Sequence, residues 1–433
     1  MYSEFRLRVT LNKERRITDL NSKYKIKIVP PTDVSLSFHK YAQNFYDAAH
    51  FIAIYLLGTD NHNIARLDSY FFVLAFLYRH SIELELKALA FRNISDKSGK
   101  VSFTKDTFHD LAKMLDELLK IEDSERSIEE IIWLKKYFAD VSKVDKESDS
   151  FRYPFHLMKA KPEESNVSKF SIKRVFEERI HINLVLFAKK FEAAYEILNL
   201  WYLRNGCPAQ AWKNLAPVFI ETGGNYYGQS VVGYGYRQQD FDPYVGAYME
   251  TAGYIRNEMK NLYDSGNTKK AANLFMPMCY LYRNVVELVI KAAWFEETRG
   301  DFQQKCKILN KKKHSISGLW NQLRNWIEEF YGEKLNDRKD FDDITVVCEN
   351  LQGFDETASK FRYPCTKEMD FYFKKSKILD FMNVAQFMES LICAIEHVDA
   401  ELNARNEYYD DMATECRVEM MAEYRSAMAD ARR

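Results

Sequence analysis

Residues 78–91 read YRHSIELELKALAF, and residues 282–295 read YRNVVELVIKAAWF. Tyr, Arg, Glu, Leu, Lys, Ala and Phe align between them without a gap. Arg79, Glu83 and Lys87 stand four residues apart in turn, so on a helix they stack along one face, and Arg283, Glu287 and Lys291 repeat the arrangement. Both stripes lie in apolar surroundings: FFVLAFLY and ALAF in the first copy, LFMPMCYLY and AAWF in the second. A helix that is apolar nearly all round is buried. A lone buried charge is costly, so each member of the stripe needs a partner.

Two further motifs follow in the same order. His109 opens HDLAKMLDEL and His314 opens HSISGLWNQL, and FRYP occurs at 151–154 and again at 361–364. Arg79 and Arg283, His109 and His314, and Arg152 and Arg362 are separated by 204, 205 and 210 residues. Three motifs at nearly constant offset indicate an internal duplication. With only 15 Gly and 9 Pro in 433 residues, long helices are favoured. The reading is an all-α chain of two tandem, homologous, up-and-down helical bundles, over residues 36–203 and 241–405. Residues 1–35 alternate apolar and polar side chains at FRLRVTL and YKIKIV, which predicts a small β-hairpin closed by Pro30 and Pro31. Residues 204–240 form a Gly- and Tyr-rich linker with short strands expected near Tyr226–Tyr236, and residues 406–433 read as a separate C-terminal amphipathic helix.

Composition narrows the functional classes. Lys plus Arg (62) balance Asp plus Glu (63), so any nucleic-acid contact needs a local basic patch. Lys311, Lys312 and Lys313 beside His314 are one candidate RNA contact, and Lys374, Lys375 and Lys377 are another. The seven cysteines are scattered with no CxxC pair, which suits reduced thiols in a cytoplasm. The N-terminus lacks an apolar signal core, and the run FFVLAFLY is too short to span a bilayer, so no membrane role is expected. No metal cluster and no cofactor motif of the Walker, HExxH, GxSxG or GxGxxG type occurs.

The matched arginines of FRYP are the obvious partners for the buried glutamates, because a guanidinium can fork onto a carboxylate. Arg152 is therefore expected to meet Glu83, and Arg362 to meet Glu287. Proline in FRYP cannot continue a helix, which fits an extended segment laid across the bundle. His109 and His314 read as helix starts.

The order RHxxELxLK, HDL, FRYP resembles bacterial HEPN-like proteins, over nearly the whole of each block. That resemblance implies two helical domains paired as a pseudo-dimer. It also implies metal-independent RNA cleavage at their interface, in a defence or toxin setting. The family motif is an Arg followed by a polar residue, with a His four to six positions on. Arg79-His80 and Arg283-Asn284 match its start, whereas the following His is replaced in both blocks. By this likeness Arg79, His80, Arg283 and Asn284 are the expected catalytic residues. Glu83, Lys87, Arg152, Glu287, Lys291 and Arg362 form a structural polar layer. The competing reading is a degenerate HEPN-like scaffold or sensor that binds a protein partner or nucleic acid without cleaving it. Homo-oligomers are compatible with both.

Overall fold

In the computed structural model, residues 11–58, 64–122, 126–159, 169–204, 209–233, 241–332 and 338–430 are described. The first half contains β1 (Lys25–Ile28), α1 (Val34–Leu57), α2 (Ile64–Asn93), α3 (Lys97–Thr107), α4 (Leu111–Ile121), α5 (Ile128–Val144), β2 (His156–Lys159), β3 (Phe170–Lys173), β4 (Ile180–Asn183) and α6 (Leu184–Leu203). The second contains β5 (Gln229–Val232), α7 (Asp242–Asp264), the short α8 (Thr268–Asn273), α9 (Phe275–Ala292), α10 (Phe302–Lys312), α11 (Ile316–Tyr331), α12 (Lys339–Phe354), β6 (Lys377–Asp380) and α13 (Phe381–Asp430). The chain is all-α, with three short two-stranded ladders among the described residues.

The two repeated segments lie at the centre. Helix α2 packs against α1, α4 and α6, and α9 packs against α7, α11 and α13. Residues 70–71 and 73–91 are all buried, as are Phe275–Ile290, which explains why neither segment shows an amphipathic pattern. Helix starts carry side-chain caps. Asp33, Asp110, Ser127 and Asn183 accept backbone N–H groups at α1, α4, α5 and α6, and Asp301 and Ser315 do so at α10 and α11.

The halves are tightly joined. Helix α2 contacts α7 and α1 contacts α9. Phe76 stacks on its own counterpart, Tyr280, with ring centroids 4.7 Å apart. The ladders cross the boundary reciprocally. Strand β1, which leads into the first half, pairs with β6 of the second, Lys25 opposite Asp380. Strand β5, which leads into the second half, pairs with β4 of the first, Gln229 opposite Asn183.

Two readings change here and one gains detail. The second strand of the N-terminal hairpin exists as β1, but its partner is β6, and residues 1–10 lie outside the described residues. In its described part the linker packs on the first half, and β5 falls within the stretch where short strands are expected. Trp133 donates to the Leu215 carbonyl at 2.7 Å, the Phe219 N–H donates to Asp140 at 2.8 Å, and Phe219 is buried. The tail beyond 405 is the continuation of α13, because no Gly or Pro interrupts residues 381–430. Among the described residues no helix is long and apolar enough to cross a membrane. Six cysteines are free thiols, and Cys207 lies outside the described residues.

Candidate active site between the halves

The charge stripe on α2 is completed within its own half, except for one contact. Glu83 is fully buried and accepts from Arg79 one turn before it and from Lys87 one turn after it, the latter at 2.7 Å. The His109 ring Nδ1 lies 2.9 Å from the same carboxylate. Arg79 also reaches the His109 carbonyl, and its Nε sits 3.0 Å from Asp145 as an ion pair without a hydrogen bond. The second half repeats this: Glu287 with Arg283, with Lys291 at 2.6 Å and with His314 at 2.9 Å, and Arg283 near Asp355 at 3.5 Å. The remaining contact comes from the opposite half. Tyr363 donates to Glu83 at 2.8 Å, and Tyr153 donates to Glu287 at 2.9 Å.

This overturns the expected pairing of Arg152 with Glu83 and Arg362 with Glu287. The glutamates are saturated by cations one helical turn away, and FRYP crosses to the other half, so its tyrosine arrives rather than its arginine. Arg152 Nε donates to the Ser148 carbonyl at 2.7 Å, and Arg362 Nε to the Ala358 carbonyl at 2.9 Å. Each arginine is 6% exposed and lies over its neighbouring tyrosine ring. Among the described residues neither has a carboxylate within ion-pair distance, and Arg362 Nη1 is buried without a hydrogen-bond partner. Burial disfavours the Arg152 cation, but Tyr280, Tyr153 and Asp149, the last of which lines the same space, outweigh it, so its counter-charge acts without touching it.

Burial pushes the Glu83 carboxyl up, but His109, Lys87 and Arg79 outweigh it and hold it well below the usual range. Glu287 is held well below in the same way, burial being outweighed by Lys291, His314 and Arg283. Burial lowers His109 despite the neighbouring Glu83. Glu287 pulls His314 up, yet burial with Lys291 and Arg152 leaves it lowered. Both imidazoles are therefore neutral near pH 7. An ionised carboxylate only accepts, so Nδ1 must be the donor and Nε2 carries the lone pair. A carboxylate that fixes the tautomer in this way orients a histidine for proton transfer.

A cavity of about 760 Å³ opens between the halves. His109, His314, Arg152 and Arg362 all line it, with Lys87, Lys313 and Tyr363. No family model, curated protein or solved structure matches this chain. The site is therefore read from its own geometry.

The residues expected to be catalytic lie elsewhere. Arg79, His80, Arg283 and Asn284 are at most 2% exposed, and none lines this cavity. Catalysis by these four residues would need them to converge on one open groove; they are buried instead, because the helices bearing them are the cores of their halves. Arg79 and Arg283 are consumed by the buried networks. The His80 ring donates from Nε2 to the Arg362 carbonyl at 3.1 Å, lies against Phe76 and Phe45, and is held well below the usual His range by burial. Asn284 accepts from the Tyr280 hydroxyl at 3.4 Å. Of the lysine cluster, Lys313 lines the cavity with His314, whereas Lys311 and Lys312 end α10 outside it. Lys374 and Lys375 are exposed, and Lys377 lies on β6.

The histidines are delivered by an unusual turn. Phe108 has φ 53° and ψ −105°, and its counterpart Lys313 has φ 50° and ψ −105°. The Asp110 N–H closes onto the Thr107 carbonyl at 3.1 Å, and the Ser315 N–H onto the Lys312 carbonyl at 3.0 Å. Both are turns of the II′ kind, whose first central position favours glycine. A side chain held there costs on the order of 1–3 kcal/mol.

Sequence reasoning missed Asp145 and Asp355, although each stands six residues before the phenylalanine of its FRYP, a visible signal. It also left the FRYP tyrosines without a role.

Proposed function

We propose that this protein cleaves RNA, without a metal ion, at the cavity between its halves, with His109 and His314 as the proton-transfer pair. The observation that carries this reading is the meeting of both glutamate-held histidines and both FRYP arginines, neither in contact with a carboxylate, in one cavity. In the proposed reaction one histidine takes the proton of a ribose 2′-hydroxyl while the 2′-oxygen attacks the adjacent phosphorus. The other gives a proton to the departing 5′-oxygen. The products are a 2′,3′-cyclic phosphate and a 5′-hydroxyl. Arg152 and Arg362 stabilise the charge on the pentacoordinate phosphorus. Positioned acid or base groups typically contribute about 10²–10⁴-fold each. The resemblance to HEPN-like proteins supports metal-independent RNA cleavage between the halves, though by other residues than its motif names, and with it a bacterial defence or toxin setting in the cytoplasm and a protein partner in such a complex.

One observation favours a second reading. Both histidines are lowered, so a proton donor is scarce at neutral pH. A degenerate protein that binds RNA or a protein partner without cleaving would keep the same arginines. The test is incubation of the full chain with total RNA in EDTA. Cyclic-phosphate ends that disappear in His109→Asn and in His314→Asn support cleavage. RNA that is bound but intact supports the second reading. Cleavage unchanged in both variants overturns the assignment of the histidines.

A further inference from the structure

The turn before each histidine presents a different side chain to the cavity in the two halves. The first half presents Phe108, the second Lys313, at the same backbone angles. Because Lys313 closes the turn as well as Phe108 does, the fold has no need of a phenyl ring there. Glycine would close it without strain. Phe108 is nevertheless 49% exposed, next in sequence to His109 and edge-on to its ring at a centroid distance of 5.0 Å. Lys367 Nζ lies 5.2 Å from the ring centroid. An exposed aromatic ring with an attendant cation, in a cavity that also holds two guanidiniums, is the combination that binds unpaired bases and their phosphates together.

We propose that Phe108 is the platform on which an unpaired nucleobase stacks, and that Lys313 is its phosphate-gripping counterpart at the other histidine. This rests on the RNA reading above and specifies it: the ligand is single-stranded, and the cavity has one base-binding end and one phosphate-binding end. A duplex keeps its bases stacked on one another and offers no free face to Phe108.

The test uses the full chain and a fluorescent 2′-O-methyl oligoribonucleotide, which lacks the attacking hydroxyl, alongside an abasic oligomer of the same length. The wild-type protein should bind the base-bearing oligomer about tenfold more tightly than the abasic one. Phe108→Gly should abolish that preference while leaving the melting temperature unchanged or raised, since it relieves the backbone. Phe108→Trp should retain the preference. Lys313→Ala should weaken both oligomers alike and lower the salt dependence by about one phosphate contact. If Phe108→Gly keeps the full preference, the platform is refuted and the RNA reading survives. If the wild-type protein binds neither oligomer, both fall.

Discussion

The Tyr363 hydroxyl, from the second half of the chain, donates a 2.8 Å hydrogen bond to the buried Glu83 carboxylate of the first. Tyr153 makes the reciprocal bond to Glu287 at 2.9 Å and also lies 3.1 Å from His314 Nδ1. Neither glutamate is complete without the other half, so the charge layer of each bundle is also a fastening between bundles.

Removing one of these hydroxyls should be felt as instability. Tyr363→Phe keeps the ring and deletes a hydrogen bond to a charged acceptor, a loss of about 1.5–3 kcal/mol. Denaturant unfolding measures it. A variant as stable as the parent would show that the phenol contributes nothing across the boundary.

Removing the carboxylate should cost more. Glu287→Ala strands Lys291 and leaves Arg283 with only Asp355, and breaking a buried ionic cluster from one side costs roughly 3–5 kcal/mol. The same change at Glu83 should behave alike, since its partners are equivalent. A loss below about 1 kcal/mol at either site, on the scale of exposed pairs, would contradict the buried network.

Stability should fall with acid in two stages. His80, His109 and His314 are all lowered from 6.5, so the unfolded chain binds their protons more readily. Their contribution is complete above pH 6.5 and is lost as the pH drops through the folded values. Glu83 and Glu287 are lowered from 4.5, so their contribution is present above that pH and is lost beneath it. Melting temperatures recorded from pH 8 to pH 3 should decline from about 6.5 downward and again below 4.5; a flat series from 7 to 5 would count against the histidines, and one from 4.5 to 3 against the glutamates.

Activity should have the opposite slope over part of that range. If cleavage needs one protonated imidazole, the lowered histidines make the acid scarce at neutral pH. The initial rate should therefore rise as the pH falls from 8 toward 6, within the range where the protein stays folded. A rate that increases steadily to pH 9 would exclude a histidine acid.

The legible and illegible parts of this structure divide along a physical line. Tyr78–Phe91 and Tyr282–Phe295 show no polar face, and a segment of that kind has nowhere to go but a core. Their four-residue spacing likewise placed Arg79, Glu83 and Lys87 together, because helical neighbours are set by local geometry. What crosses the boundary was hidden. Spacing shows that Tyr153 and Arg152 recur, but not which of the two reaches a glutamate in the other half. The strand Lys25–Ile28 was visible by alternation, whereas its partner, some 350 residues away, was not. Phe108 was invisible for another reason: an aromatic residue at a glycine-favoured turn contradicts local preference, and such conflicts gather where a protein binds or reacts.

The reciprocal ladders, β1 with β6 and β5 with β4, make the molecule a dimer written as one sentence. A chain holding only the first half would carry both a β1-type strand and a β4-type strand, and each would find its match in a second identical chain. Such a chain closes on itself by a two-fold axis, each strand paired once. Joining the copies makes that association independent of dilution, since the partner is always at hand. It also frees the copies to diverge: once two positions related by the axis no longer share one codon, one can become Phe108 while the other becomes Lys313.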